Sequence, residues 1–487
     1  LNDRRLTGYA SYQYSDGYRD HNSSEIIHLG SQIDILATER NLVTAKGAWL
    51  AKPEAQHPGS INRDVFTNQP KNARSSFVDS DAGEKAYQGQ FGLEWQHHRQ
   101  QVDLESTVYG IRRLLQNRLP FGYINLERWA GGWRSAAHYS QNNVKVSGGW
   151  DLRFQRDNRL ERPNEGGNPG EAILLDQLET VWNAAAFTQV GYRYDNWRFN
   201  GSLRYDKLYF EADDYRSSMS STDASGNRQF SAWSPQLGVR GNFGIIDVFA
   251  STGTAFQSPT TTELVNNPEQ QGGFNPNLEP QRTWGSEIGI QARPESLPLN
   301  AELVYFFIDV EDFLLPYQLQ DDGATFYRNA GNTRHQGVEA SLRWRVVEEL
   351  YLIGAYTFTR ATFEDFPALD IEGNRVPGVP VHLLDLTADF RQNGWRLMGN
   401  LHASSDYYVD NANSAKAQSY TTVSFSLSKK IGFGEETAWA IRPYVEMNNV
   451  FDVSYSGSVI INAFGGRYYE PGHPRNWKAG LRLLWDE

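Results

Sequence analysis

The sequence predicts an all-β protein folded as an antiparallel transmembrane β-barrel, and three observations carry that prediction. The segment Val144 to Gln155 reads V-K-V-S-G-G-W-D-L-R-F-Q, with apolar or small side chains alternating against polar ones throughout. Strand side chains point to opposite faces with period two, so this segment has one apolar face and one wet face. Its length suits the ~9–11 residues of a tilted strand that crosses a bilayer. The same pattern recurs roughly twenty times along the chain. Short and long connections alternate between the recurrences.

Taken in order, the alternation places strands at 4–15, 26–36, 41–51, 87–97, 101–112, 132–139, 144–156, 178–192, 196–211 and 229–241. It continues at 245–255, 283–292, 298–312, 324–346, 350–361, 380–391, 395–405, 418–429, 436–448 and 475–485, for 20 strands in all. Short turns fall at Ala37–Asn41, His98–Gln100, Ser140–Asn143, Asp195, Asn242–Gly244, Arg293–Leu297, Val347–Glu349 and Gln392–Gly394. Long loops fall at 52–86, 113–131, 157–177, 212–228, 256–282, 362–379 and 449–474. Outer-membrane barrels keep their short turns in the periplasm and their long loops outside the cell. Both ends of the chain therefore fall on the periplasmic side.

Composition agrees. A chain of 487 residues would ordinarily divide into several soluble domains, yet no linker or composition shift divides this one. The longest apolar run is close to Leu303–Ile308, far short of the ~18 residues of a helical span. Its 14 Trp, 25 Tyr and 25 Phe suit the two aromatic girdles of a membrane barrel. With no cysteine there is no disulfide framework and no thiolate metal site. A net charge of −12 argues against nucleic acid as a partner.

The last strand, Lys478-Ala-Gly480-Leu-Arg-Leu483-Leu-Trp485, puts Trp477, Ala479, Leu481, Leu483 and Trp485 on one face. It resembles the C-terminal signal read by the barrel assembly machinery, with Gly480, Leu483 and Trp485 at its marked positions. Further segments carry a family resemblance. Thr254-Ala-Phe-Gln-Ser-Pro-Thr-Thr-Thr-Glu-Leu264, Phe274-Asn-Pro-Asn-Leu-Glu-Pro280 and Tyr327-Arg-Asn-Ala-Gly-Asn-Thr-Arg-His-Gln-Gly-Val-Glu339 resemble parts of TonB-dependent receptors. So do Asn448-Asn-Val-Phe-Asp452 and Gly466-Arg-Tyr-Tyr-Glu-Pro-Gly472, and all stand in the family's order.

The resemblance implies an outer-membrane importer of a scarce substrate, either a siderophore-bound metal, haem, cobalamin or a quinone cofactor. Within the family, Gly457–Asn462 and Gly466–Pro471 look closest to receptors for pyrroloquinoline quinone and to ferric-citrate-type receptors. The family barrel has 22 strands around an N-terminal plug. The 20 strands here, read against it, imply residues 1–487 are the barrel portion, with plug and first hairpin missing. Import by the intact parent would run through that plug to the TonB–ExbB–ExbD complex. Lipid and lipopolysaccharide would surround the wall.

Candidate binding residues lie in the loops and upper lumen. Arg467, Tyr468, Tyr469, His473 and Arg475 bring two guanidinium groups, an imidazole and two phenols to the last loop. Planar bidentate donors beside aromatic faces suit a carboxylate-bearing, conjugated ligand. Tyr468 and Tyr469 serve equally well as girdle aromatics. Arg112, Arg113 and Arg118, with Phe121 and Tyr123, form a second basic and aromatic loop patch, suited to ligand or to lipopolysaccharide phosphates. Arg328, Arg334 and His335 enter the barrel on a strand where lumen-facing charge is usual. Gln257, Thr260 and Glu263 open a long loop.

Other signals point nowhere functional. His97 and His98 sit at a predicted short periplasmic turn, where adjacent imidazoles would point to opposite faces and chelate poorly; no metal site or cofactor is expected. No nucleophile–base set stands out, so an enzyme is not expected. The remaining alternative is a plugless passive channel.

Overall fold

The computed structural model describes residues 5–218, 225–268, 274–294, 297–318, 325–366, 370–433 and 439–485. One 21-stranded antiparallel sheet dominates. Its long strands are β1 (Leu6–Ser15), β2 (Ser24–Ala37), β3 (Asn41–Gln56), β4 (Gly83–Arg99), β5 (Val102–Leu119), β6 (Gly122–Gln141) and β7 (Val144–Arg162). There follow β8 (Leu175–Tyr194), β9 (Trp197–Asp214), β10 (Gly226–Phe243), β11 (Ile246–Gln257), β12 (Gln281–Ala292), β13 (Leu299–Glu311) and β14 (Asn332–Val347). The set ends with β15 (Leu350–Asp365), β16 (His382–Gln392), β17 (Trp395–Ser404), β18 (Tyr420–Lys429), β19 (Trp439–Asn448) and β20 (Asn476–Trp485). The remaining member, Ile431–Gly432, continues β18 along β19 past a break at Lys430.

Each strand pairs with its sequence neighbours, so the sheet is an up-and-down meander. Every long strand corresponds to one expected from alternation. Among the described residues no ladder joins β1 to β20. Their loops nonetheless meet, because the Tyr18 ring after β1 lies 6.1 Å from the His473 ring just before β20. The sheet is therefore curled end towards end.

Alternation sorts the side chains as a lipid-facing wall requires. Phe91, Trp133, Trp150, Trp182, Trp233, Leu237 and Leu303 share the outward face and are exposed. The opposite face carries ion pairs two residues apart on one strand. Asp151 binds Arg153 at 2.6 Å, Asp206 binds Arg204 at 2.7 Å, and Asp389 takes Arg391 on its own strand and also Arg396 on the next. Residues i and i+2 point the same way on a strand, so this spacing is what an inward polar face produces.

Two expectations change. The long loop expected at 113–131 is instead a hairpin, with β5 and β6 running on to a tight turn at Pro120–Phe121. The strand expected at 324–346 is broken. Thr325–Asn329 pairs with Leu314–Gln318 in a separate ribbon, and β14 begins after Gly331. Gly331 has φ +112, and a Cβ there would sit 1.6 Å from the Asp365 carbonyl oxygen, so the chain turns where only glycine fits.

The closing strand shows why its glycine is needed. The Tyr444 ring on β19 occupies the space beside Gly480, where a Cβ would meet it at 2.5 Å. Leu483 faces outward and is exposed. The side chain of Trp485 lies outside the described residues.

Candidate functional site

The long connections gather at one end of the sheet, and there they build small hydrophobic cores of their own. The loop between β3 and β4 carries two short helices, α1 (Arg63–Asn68) and α2 (Ser75–Asp79). Asn62 caps α1 by accepting the Val65 N–H at 3.0 Å, which positions Phe66 inward. Phe66 packs with Ile61, Val409, Ala417 and Tyr469, drawn from three separate loops. A two-way backbone bridge between Ile61 and Tyr469, at 2.9 and 3.0 Å, locks the first of these loops to the last.

Beside this core lies an open cavity of about 340 Å3, bounded by the β3–β4 loop, the β5–β6 turn and the last loop. Arg74, Phe77, Phe121, Arg467, Glu470 and His57 line it, with Ile460 and Phe464 completing its apolar side. The Arg74 guanidinium sits 5.1 Å from the Phe77 ring centre, while the Arg74 N–H donates to the Pro58 carbonyl at 2.9 Å. Gly59, at φ +69, lets that ring lie against the backbone, since a Cβ there would stand 2.8 Å from it.

The charged side chains in the lining include Arg74, Arg467 and Glu470, and the Glu470 carboxylate accepts a hydrogen bond from Ser458. Burial pushes the His57 imidazole below its ordinary value, so it is neutral at pH 7. Behind this wall Arg19 is only 7% exposed, with Glu470 and Asp20 as the acidic groups that favour its charge. Its Nη2 donates to the Asn72 carbonyl at 2.8 Å, while its Nε has no hydrogen-bond partner.

The predicted residues divide. Arg467 lines the cavity. Tyr468 and Tyr469 sit beside it in structural roles. Tyr469 is 3% exposed and donates its hydroxyl to the Lys416 carbonyl at 3.1 Å; Tyr468 donates to Asp410 at 3.3 Å. Burial and the Asp410 carboxylate push the Tyr468 phenol above its usual value. His473 faces Tyr18, and Arg475 is tied to its own loop through Asp452 and the Val450 carbonyl. Arg467 and Arg475 therefore belong to different surroundings.

The expected patch of Arg112, Arg113, Arg118 and Tyr123 does not form, because the strands run on and alternation separates its members. Arg112 points outward over Trp129 and pairs with Glu127 at 2.9 Å. Arg113 has the opposite parity and faces the lumen. Arg118 is buried between Glu54 and Asp81, and Tyr123 is buried as well.

Arg334 corrects the lumen expectation. It shares the face of exposed Tyr305 and Leu342 and pairs with Asp309 at 2.9 Å and Glu364 at 3.3 Å. Arg328 stacks 5.1 Å from the Tyr317 ring in the outer ribbon. Gln257 accepts a hydrogen bond from Gln281, while Thr260 and Glu263 form the capping box of a helix, α3 (Thr261–Val265). The Thr-x-x-Glu spacing was the signal for that cap.

Arg74, Phe77, His57 and Glu470 were not singled out by the sequence. Only Pro58-Gly59, a turn signal, marked their neighbourhood. Among the described residues no cluster of histidines and carboxylates is placed to hold a metal ion.

The family described as TonB dependent receptor-like, beta-barrel matches residues 5–450. The ferrioxamine receptor of Yersinia enterocolitica is 25% identical over 266 residues, covering 54% of this chain and 34% of that protein. The catecholate siderophore receptor Fiu of Escherichia coli K12 is 28% identical over 210 residues, covering 41% and 25%. The chain thus spans about a third or less of these relatives' own length. Among solved structures, unliganded ferric citrate transporter FecA superposes with a TM-score of 0.82 at 16% identity, covering 99% of this chain and 74% of that one. The ferric yersiniabactin receptor FyuA of Yersinia pestis gives 0.78 at 14%, covering 100% and 76%. The outward apolar wall, the looped mouth and the family match agree: this chain belongs to the TonB-dependent receptors, the outer-membrane β-barrel proteins of Gram-negative bacteria.

Proposed function

We propose that the intact protein binds an iron chelate at the loop end of its wall and imports it, with TonB–ExbB–ExbD as the energy source. The observation that carries this reading is the arginine-lined, aromatic cavity built by Arg74, Arg467, Phe77 and Phe121 among the loops. Guanidinium donors beside aromatic faces suit a polar, conjugated small molecule. Relatives whose names state ferrioxamine and catecholate siderophores favour iron as the cargo. Pyrroloquinoline quinone, an aromatic carboxylate, suits the same cavity and is a second ligand to test. In this reading no covalent chemistry is performed on the ligand.

The test is uptake of radioactive iron chelates by cells carrying the full-length protein, with and without a working TonB system. De-energised cells should retain surface binding and lose uptake. Uptake that persists without energy would sink the importer reading in favour of a passive channel.

A further inference from the structure

We infer that one strip of the inner wall, on β8–β13, is the lane by which the bound small molecule leaves the mouth, and that it touches that molecule through uncharged hydrogen-bonding groups. This rests on the importer reading above and gives it a route.

Register defines the strip. Gln189, Ser202, Gln236, Gly253, Gly285 and Ile308 are successive cross-strand partners from β8 to β13, so they share one row on one face. That face is the lumen's, since Gln236 is next to the outward Leu237. The adjacent rows add Asn200, Gly238 and Ser251 on one side, Ala255 and Thr283 on the other. Together they line a groove of about 410 Å3, and none of its lining residues is ionisable. On β10 it lies between the outward rings of Trp233 and Phe243, at mid-wall and beneath the loops.

The glycines of this strip are bare. Glycine weakens a strand interior, and where one stands it often marks the close approach of a ligand or another backbone. Several glycines elsewhere in the wall have a packing reason. The rings of Tyr9, Tyr109, Phe249 and Tyr444 occupy the space beside Gly30, Gly132, Gly289 and Gly480. Gly285 has no ring beside it. A Cβ there would find its first contact, on Ile308, only at 3.9 Å, so packing does not call for glycine. At Gly253 the first atom met, at 2.7 Å, belongs to the flexible Gln236 side chain. The backbone is thus open to whatever moves along the lumen.

Other parts of the inner wall are built differently. On β6–β9, Arg134, Asp151, Ala185 and Asp206 form one row, and Arg153 and Arg204 pair with its carboxylates at 2.6 and 2.7 Å. A second inner groove, of about 480 Å3 on β1–β5, holds Lys46, paired with Glu94 at 2.5 Å, and the rings of Tyr9 and Tyr109. Charged and aromatic surfaces of that kind hold what they touch. Passage needs contacts favourable enough to admit a molecule and weak enough to release it. Serine, asparagine and glutamine offer neutral hydrogen bonds of about 1 kcal/mol each, which hydroxyl and amide groups on a passing molecule match. Glu287, at the margin of the strip, already accepts from Ser251 at 2.9 Å.

The experiment measures binding and uptake by cells carrying the full-length protein. Radioactive iron(III) is offered as citrate, as a trihydroxamate and as the tris-dihydroxybenzoate complex. The chelate that the unsubstituted protein imports under energy serves as cargo. Gly285→Trp and Ala255→Trp place a bulky ring in the strip, and each should lower energised uptake about tenfold while surface binding is unchanged. Gly285→Ala adds a methyl group with room to spare and should import normally. Ala48→Trp, which fills the second inner groove, should import normally as well. Heat-modifiable gel mobility and the melting temperature identify variants whose barrel is intact.

Undiminished uptake in folded Gly285→Trp and Ala255→Trp overturns the inference and leaves the importer reading standing. Equal loss in Ala48→Trp does the same, because any bulk in the lumen would then suffice. A lowered melting temperature or lost surface binding alongside the lost uptake also overturns it, since the strip would then be a packing surface. Import of none of the chelates by the unsubstituted protein overturns the importer reading, and the lane with it.

Discussion

The wall and the mouth of this molecule obey opposite rules. On the wall, large apolar side chains point outward and buried carboxylates are paired inward, as Asp389 is with its two arginines. In the mouth, apolar side chains turn inward to form cores such as that of Phe66, Val409 and Tyr469. The difference is one of solvent. Hydrocarbon surrounds the wall and leaves no advantage in hiding apolar groups, whereas water surrounds the loops and drives burial. A mutation should therefore be damaging in the mouth for the reason it is harmless on the wall.

The largest expected effect tests the mouth. Tyr469→Ala removes an aromatic from a filled core, a change that costs about 3–5 kcal/mol. Protease cleavage should appear within residues 57–82 and 449–475 while the strands stay protected. Tyr469→Phe loses only the bond to the Lys416 carbonyl, about 1 kcal/mol, and should keep the loops closed. Equal cleavage in both variants would mean that the core does not hold the loops.

Next comes the wall. Leu237 is 65% exposed on the outward face of β10, and its neighbour Gln236 faces the lumen. Leu237→Arg should lower barrel stability by about 2–4 kcal/mol, whereas Gln236→Arg should change it little. Denaturant unfolding in detergent or lipid reads both, and a reversed order would invert the assigned faces.

A smaller effect separates the arginines. Arg118 is buried with two carboxylates, so Arg118→Ala should destabilise the β5–β6 turn by about 1–3 kcal/mol. Arg475 is exposed, and Arg475→Ala should alter neither stability nor chelate affinity measurably. Fluorescence titration of Arg475→Ala decides the latter point.

The smallest concerns pH. His57 lies near His21, Lys52, Glu84 and Glu470, and its burial favours the neutral ring. Its contribution to loop stability is full above the ordinary imidazole value of about 6.5 and is lost as pH falls below it. Protease protection of the β3–β4 loop should therefore weaken between neutral and mildly acidic pH, and His57→Gln should flatten that trend. A profile unchanged by the substitution would place the titration elsewhere.

Period-two alternation made the wall legible, since a strand that separates lipid from water must alternate and each connection must then be short or long. Even there, strand ends were not legible. Arg112 and Arg118 were read as one loop because polar side chains at the rim no longer betray which face they occupy. In the mouth the signals were local and easily misread. Thr260 and Glu263 carried a capping spacing, and Tyr469 a girdle composition, but the core that buries Tyr469 is assembled from three distant loops.

What the sequence determined by itself was the architecture: the number and order of long strands, their antiparallel course and the end at which the loops gather. Each follows from contacts between adjacent strands, which a one-dimensional pattern encodes. Tertiary structure alone decided the cavity, because Arg74, Phe121 and Arg467 lie on three connections far apart in the chain. They meet only when the sheet curls and Ile61 pairs with Tyr469. No periodicity records that encounter, since it depends on where whole loops come to rest in space.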